Sequence, residues 1–309
     1  MKLEPSNQIR LFSHKEQFES LINLYSENKL PNKILFSGEK GIGKCTLAYH
    51  IVNYILSQSE ENPYDIENLQ INLENKSFKL VQNKSCPNFI LIDVLFEKKN
   101  IDIDQIRNLI LSLNKSSFID KPRIILIDNI ELLNINSINA LLKILEEPND
   151  NIYFILINNN KKILPTLKSR CLNFKIQLNF DQSIDTINKI LKDNIFDLLN
   201  IDLINYYNTP GQLLNLIDLQ NQFVLNLKEM NLKDLIFFII KNKHYKKDST
   251  INQLIYSLIE SYLRSNISVD DISLINIKDS FLKKINDTKR FNLDEETLLM
   301  EFEDKVLNG

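Results

Sequence analysis

The sequence is poor in the residues that build metal and redox centres. Three cysteines, Cys45, Cys86 and Cys171, and three histidines, His14, His50 and His244, are scattered through 309 residues. No Cys-x-x-Cys pair occurs, so neither a structural zinc module nor a disulfide framework is supported, and the cysteines read as small buried side chains. No histidine is paired by its spacing with an acid or a nucleophile. No apolar run approaches the ~20 residues of a membrane helix and no signal-peptide core opens the chain, so the expected location is the cytoplasm, without a membrane partner. An excess of positive charge is missing too. With 37 basic and 40 acidic residues the net charge is −3, which excludes a global basic field for nucleic acid and makes any DNA contact local or shared with other subunits. The length exceeds one compact core, so two or three domains are expected.

Glycine is also scarce, and its placement is therefore informative. Of five glycines, Gly38, Gly41 and Gly43 stand together in GEKGIGKC. The apolar residues Ile34, Leu35 and Phe36 precede them, and a helix with Leu47, Ile51, Tyr54 and Ile55 on one face follows. Strand, glycine loop and helix in that order form a phosphate-binding P-loop: backbone amides close around phosphate oxygens, Lys44 adds a cation, and the helix N-terminus adds its dipole. A chance glycine-rich turn is disfavoured in so glycine-poor a chain. One position departs from the pattern. Cys45 stands where Ser or Thr ligates magnesium, and a thiol is a soft, poor ligand for that cation. Thr46 carries a hydroxyl one residue on, rotated by about 100° around the helix axis, where it does not replace it.

Residues 124–127 form an uninterrupted aliphatic run, read as a strand buried on both faces of a parallel sheet, with Asp128 at its carboxyl end. A carboxylate there commonly holds a metal ion beside a nucleotide phosphate, so Asp128 is the candidate magnesium ligand, a weak one beside Cys45. Asn129 follows, where an ATPase of this type has a glutamate to polarise water; an amide holds water but accepts no proton. Glu131, two positions on, is a weaker substitute. A helix with Ile138, Leu141, Leu142 and Leu145 comes next, with Asn136 or Ser137 as its cap and Pro148 as its stop. A second buried strand spans 152–157.

Elsewhere a helix is expected over Lys15–Ser26, a strand over 88–94 and a helix over Ile103–Leu113, with residues 62–77 a polar loop holding a short helix. Strand and helix alternate, so the fold class is α/β: a P-loop domain with a parallel sheet and flanking helices over 1–178. Past residue 179 no further strand is convincing. Residues 184–199, 201–207 and 208–217 read as helical, as do 218–309, where the basic stretch 241–247 reads as a solvated linker rather than a DNA patch.

LFSH at residues 11–14, NKLPNKILFSGEKGIGKCTLAYH, IDNIELLNINSINALLKILEEP and LPTLKSRC together make the chain resemble the AAA+ clamp-loader subunits of bacterial DNA polymerase III. The resemblance is strong over residues 6–178 and extends to the helical remainder by layout alone. It implies a small helical lid over 179–217 and an all-α collar over 218–309. It implies that Gly38 to Thr46 and Asp128 bind ATP or ADP, with magnesium doubtful and no zinc. Asn158 to Asn160 occupy the sensor 1 region, with Asn158 the first candidate, and Gln212 stands where related lids carry a sensor 2 arginine. Arg170, in the SRC triplet, is implied to project as an arginine finger into a neighbouring subunit's ATP site, which suits a rigid, always charged guanidinium; on its own residues it reads as a surface ion pair.

Three functions follow. The first is a non-hydrolysing stator in a pentameric ring with gamma/tau motors and delta, acting on a sliding clamp and primed DNA in the bacterial replisome. An ATP-hydrolysing motor of the same complex is the second, against which Cys45, Asn129, Gln212 and the missing zinc cysteines count. A stand-alone P-loop kinase is the third, and it lacks arginines: only Arg107, Arg123 and Arg170 lie between the P-loop and the lid. The first is preferred.

Overall fold

Each uninterrupted aliphatic run becomes a strand of one sheet. The computed structural model describes residues 4–95, 98–113, 121–146, 151–265, 272–291 and 293–307. In chain order, α1 (Lys15–Ser26), β1 (Lys33–Ser37), α2 (Lys44–Ser57), α3 (Lys76–Gln82), β2 (Phe89–Ile92) and α4 (Ile103–Leu113) lead to β3 (Arg123–Ile127). Then come α5 (Ile135–Glu146), β4 (Ile152–Asn158), α6 (Pro165–Lys168) and β5 (Leu172–Lys175). All pairings are parallel, in the order β2-β3-β4-β1-β5.

The period of two, with both faces covered, explains why the interiors of the central strands are apolar. Ile34 and Phe36 of β1, Ile124 and Leu126 of β3 and Ile155 and Ile157 of β4 pack with Phe18 and Leu21 of α1 and Leu47 and Ile51 of α2. Their alternates, Leu35, Ile125, Ile127, Phe154 and Leu156, pack with Ile106 and Leu109 of α4 and Leu141 and Leu145 of α5. Both faces are thus covered, and each such side chain contributes about 1.5–3 kcal/mol by leaving water.

Several boundaries differ from the sequence reading. The cap of α5 is Asn134, not Asn136 or Ser137: its Oδ1 accepts from the Ser137 N–H at 2.8 Å, while the Ser137 hydroxyl is buried and donates to the Ile101 carbonyl at 3.2 Å. Pro148, the expected stop, lies outside the described residues. Strand β2 is shorter than 88–94: at its start the buried Asn88 side chain donates to the Lys121 carbonyl at 2.8 Å, and past its end the Val94 N–H donates to Asp93 Oδ1 at 2.7 Å. Strand β5 is an addition; four residues alternating Leu172, Asn173, Phe174 and Lys175 at a sheet edge give no apolar run.

Two compact units result, one of Met1–Thr186 with Thr209–Gly211, the other of Ile187–Asn208 with Gln212–Gly309. Past β5 the described elements are helical: α7 (Phe180–Leu191), α8 (Ile195–Leu198), α9 (Pro210–Phe223), α10 (Leu232–Lys241), α11 (Ser249–Ser265), α12 (Ile272–Phe291) and α13 (Glu295–Phe302). Residues 201–207 hold only a 3-10 turn, Ile201–Leu203. In the second unit Ile236, Ile239, Ile255, Ile259, Phe281 and Phe302 are buried. Lys243 and Lys246 each lie 2.6 Å from Glu296, so two cations of the basic stretch share one carboxylate partner. Among the described residues no helix is long and apolar enough to cross a membrane.

Candidate nucleotide and interface site

Parallel pairing delivers the candidate residues to one place. Ser37 pairs with Asn158 and Ile92 with Ile127, so the P-loop, Asp93, Asp128 and Asn159 all emerge at the carboxyl ends of the strands. There an α/β sheet binds ligands.

The loop's shape explains its glycines. Gly41 and Gly43 have φ of +87° and +92°, left-handed values that favour glycine, and a Cβ on Gly38 would lie 2.1 Å from the Ile176 carbonyl oxygen. Gly38→Ala is therefore expected to push the loop off the end of β5 and cost about 2 kcal/mol of stability, read by chemical denaturation. Two supports for this loop gave no sequence signal. His14, buried at the head of α1, donates from Nε2 to the Ile42 carbonyl at 2.6 Å. Gly211 donates its N–H to the Gly41 carbonyl at 2.9 Å, and the Thr209 hydroxyl donates to the Lys40 carbonyl at 3.0 Å.

Lys44 opens α2, buried, with Nζ donating to the Gly38 carbonyl at 2.9 Å and the Glu39 carbonyl at 2.5 Å. Burial pulls its pKa down to about 8 against the opposing pull of Asp128, Glu131 and Glu39. Asp128 moves the other way: burial first, then the charge of Asp93, raise it to about 6, although Cys45 and the Asn129 N–H, 2.8 Å from Oδ1, hydrogen-bond to it. Burial and Asp128 push the Cys45 thiol well up, so it stays protonated. Lys44, Cys45 and Asp128 are thus brought together.

Asn129 has φ of +56° and both ends of its amide are committed. A carboxylate only accepts, so Nδ2 donates to Asp93 Oδ1 at 2.7 Å and Oδ1 accepts from Asn159 Nδ2 at 2.7 Å. Asn159 Nδ2 also reaches Glu131 Oε1 at 2.9 Å, and its N–H reaches Glu131 Oε2 at 3.3 Å. Glu131 therefore holds Asn159. The three consecutive asparagines separate cleanly. Asn158, the first candidate, closes its own turn, donating to the Lys161 carbonyl at 2.9 Å; Asn159 faces the Asp93–Asn129–Glu131 network; Asn160 donates to Glu39 Oε1 at 2.6 Å. Sequence alone does not separate adjacent residues of one type.

This donor set suits a phosphate better than magnesium. A protonated thiol at position 45 replaces the expected hydroxyl, and Asp128 already accepts two hydrogen bonds. Among the described residues no group of three or more His, Cys, Asp or Glu side chains forms a metal site.

Arg170 lies elsewhere. It sits two residues before β5, whose Leu172 pairs with Ile34, whereas the P-loop follows Ser37, paired with Lys175. Arg170 thus precedes the amino end of β5, whose first residue, Leu172, already lies about 13 Å along the sheet from Gly38. Its Nη1 donates to the Thr166 carbonyl at 2.7 Å and Nη2 to Glu146. Arg107 pairs with Asp104, and Arg123 donates to the Ser112 and Leu113 carbonyls.

Five parallel strands in this order, a P-loop after the first and an acid after the third, define an AAA+ P-loop fold. The chain belongs to the clamp-loader family described as DNA polymerase III, delta subunit, whose sequence profile matches residues 13–179. It is 27% identical over 285 residues to DNA polymerase III subunit delta' of Buchnera aphidicola subsp. Schizaphis graminum, covering 87% of this chain and 83% of that protein. It is 30% identical to subunit gamma of the same organism, over 75% of this chain and 63% of that protein. Among solved structures, a DNA polymerase III gamma subunit-related protein of Thermotoga maritima matches 91% of this chain and 96% of its own with a TM-score of 0.53; at 18% identity the likeness is one of fold.

Proposed function

We propose that this chain is the delta'-type, non-hydrolysing member of a clamp loader, which supplies Arg170 to the ATP site of an adjacent subunit. The placement of Arg170 carries the reading. An arginine at the amino ends of the strands cannot reach the phosphates of its own P-loop, so a finger there serves another chain. The chain's own site supports the same view. The group beside Asp128 is an amide with both ends committed, and the position after Lys44 is a protonated thiol, so neither a general base nor a good magnesium ligand is in place. Gln212 stands where a third nucleotide contact would be cationic.

In this reading residues 1–178 are the AAA+ domain, 179–217 the lid and 218–309 the collar that packs against the other subunits. Gamma/tau motors and delta complete a pentameric ring in the bacterial replisome, which opens a sliding clamp and closes it on primed DNA. Gly38, Gly41, Gly43 and Lys44 retain a cradle for ATP or ADP, and Asn159 is its sensor 1 residue. When bound, magnesium would neutralise phosphate charge beside Asp128; Lys44 supplies a cation there itself.

DNA-stimulated ATP turnover separates the readings. The isolated chain is expected to release no phosphate above background, and a mixture with its cognate motors, delta and clamp to do so. Turnover by the isolated chain that disappears with Lys44→Ala would make it a motor, a role the gamma relative keeps in play.

A further inference from the structure

The partner that Arg170 keeps within its own chain is not accounted for by a finger in trans. Glu146 stands in the C-terminal half of the described α5 (Ile135–Glu146), away from the helix N-terminus where the dipole favours a carboxylate, so its charge gains nothing from the helix. Its side chain is 56% exposed and that of Arg170 32%, so the pair adds little to folding. Thr166, whose carbonyl takes the other bond, lies in the four-residue helix α6, where main-chain acceptors near the C-terminus lack helical partners. Two elements that end at the amino side of the sheet, α5 and α6, thus grip one guanidinium from two directions. Of its five N–H donors, two are used among the described residues and three are left for an incoming anion.

We propose that Glu146 is the positioning residue of Arg170: together with the Thr166 carbonyl it fixes the guanidinium before the neighbour's phosphate arrives, so that the finger docks without first being ordered. This rests on the trans role proposed above. Arginine has a long, rotamer-rich side chain, and a site that must order it at each turnover reacts more slowly than one that meets it preset. Glu146 touches no substrate in this scheme and acts only through Arg170.

Two measurements test it. In the assembled loader, Glu146→Ala is expected to slow by about fivefold the part of the phosphate burst that Arg170→Ala removes, with the KM for ATP unchanged. Glu146→Gln, which keeps an acceptor oxygen, should stay within about twofold of the parent. The double variant should match Arg170→Ala alone. In the isolated chain, 15N relaxation of the Arg170 Nε–H should report an ordered group that becomes mobile in Glu146→Ala. If Arg170→Ala slows the burst but Glu146→Ala does not, or speeds it, the positioning role is wrong and the trans role stands. Unchanged Arg170 relaxation in Glu146→Ala overturns it equally. If Arg170→Ala itself leaves the burst intact, the trans role fails and takes this inference with it.

Discussion

Arg170→Ala is expected to slow ATP hydrolysis about 10³-fold at the single motor site it faces, while leaving the ring assembled. The size follows from what an arginine finger does: its fixed, permanently charged fork meets phosphate charge as it develops, in a site from which water is excluded. A factor of 10³ corresponds to about 4 kcal/mol of transition-state stabilisation. On the trans role proposed above, the effect is to be read in single-turnover phosphate release by the assembled loader, where the share of the site that Arg170 serves should vanish and the rest persist. The isolated chain should keep its melting temperature within a few degrees, since the Arg170–Glu146 pair lies at the surface. A ring that fails to assemble with Arg170→Ala would make the arginine an interface residue. Unaltered single-turnover kinetics would remove the trans role altogether.

The parts of this architecture that were legible in the sequence are those where one physical constraint acts alone. Strands β1, β3 and β4 are buried on both faces, so their interiors are apolar, and α1 and α4 carry clear helical periodicity; α1 spans Lys15–Ser26 and α4 starts at Ile103, as the periodicity predicts. The P-loop was legible because glycine at positive φ is a local requirement. Strand β5 was not, since an edge strand of four residues needs neither face apolar. The helix cap at Asn134 was displaced from the expected Asn136 or Ser137 because Ser137 is drawn into the core by the Ile101 carbonyl.

Within the site, the identity of Asp128 and Lys44 followed from their place after apolar runs, but their partners did not. His14 sits 28 residues before the carbonyl it holds, and Thr209–Gly211 more than 160 residues beyond the loop they touch. Residues 158–160 are all asparagine, and only the turn after β4, with Asn160 at φ of +55°, decides that Asn159 faces the acid network. Tertiary contacts between distant segments leave no periodic trace in the sequence.

Asp128→Asn is expected to stabilise the first unit at pH 7 by about 2–3 kcal/mol and to change it by less than about 1 kcal/mol near pH 4. The sign follows from the direction of the shift. Burial and the neighbouring Asp93 raise the Asp128 carboxyl from 3.8 to about 6, so the folded state holds the proton more tightly than the unfolded one. Below 3.8 both states are protonated and the group costs nothing; as the pH rises through 6 the folded state must carry a buried anion. His50 acts in the opposite sense over an overlapping range. It is buried as the neutral tautomer, Nε2–H donating to the Gln8 carbonyl at 3.1 Å and Nδ1 accepting from Tyr64 Oη–H at 2.7 Å, and burial lowers its pKa from 6.5 to about 4. Its contribution is lost as the pH falls from 6.5 to 4. In the parent protein the two slopes largely cancel, whereas Asp128→Asn should expose the His50 slope, a gain of about 3 kcal/mol from pH 4 to 6.5, in hydrogen exchange of the β3 amides. An equal gap between parent and variant at both pH values would mean that Asp128 is not held as a costly buried acid. A gap that opens with pH would instead identify a carboxylate retained against stability, beside an amide with both ends committed and a protonated thiol, and the natural beneficiary of that cost is the charge of Lys44 in the P-loop.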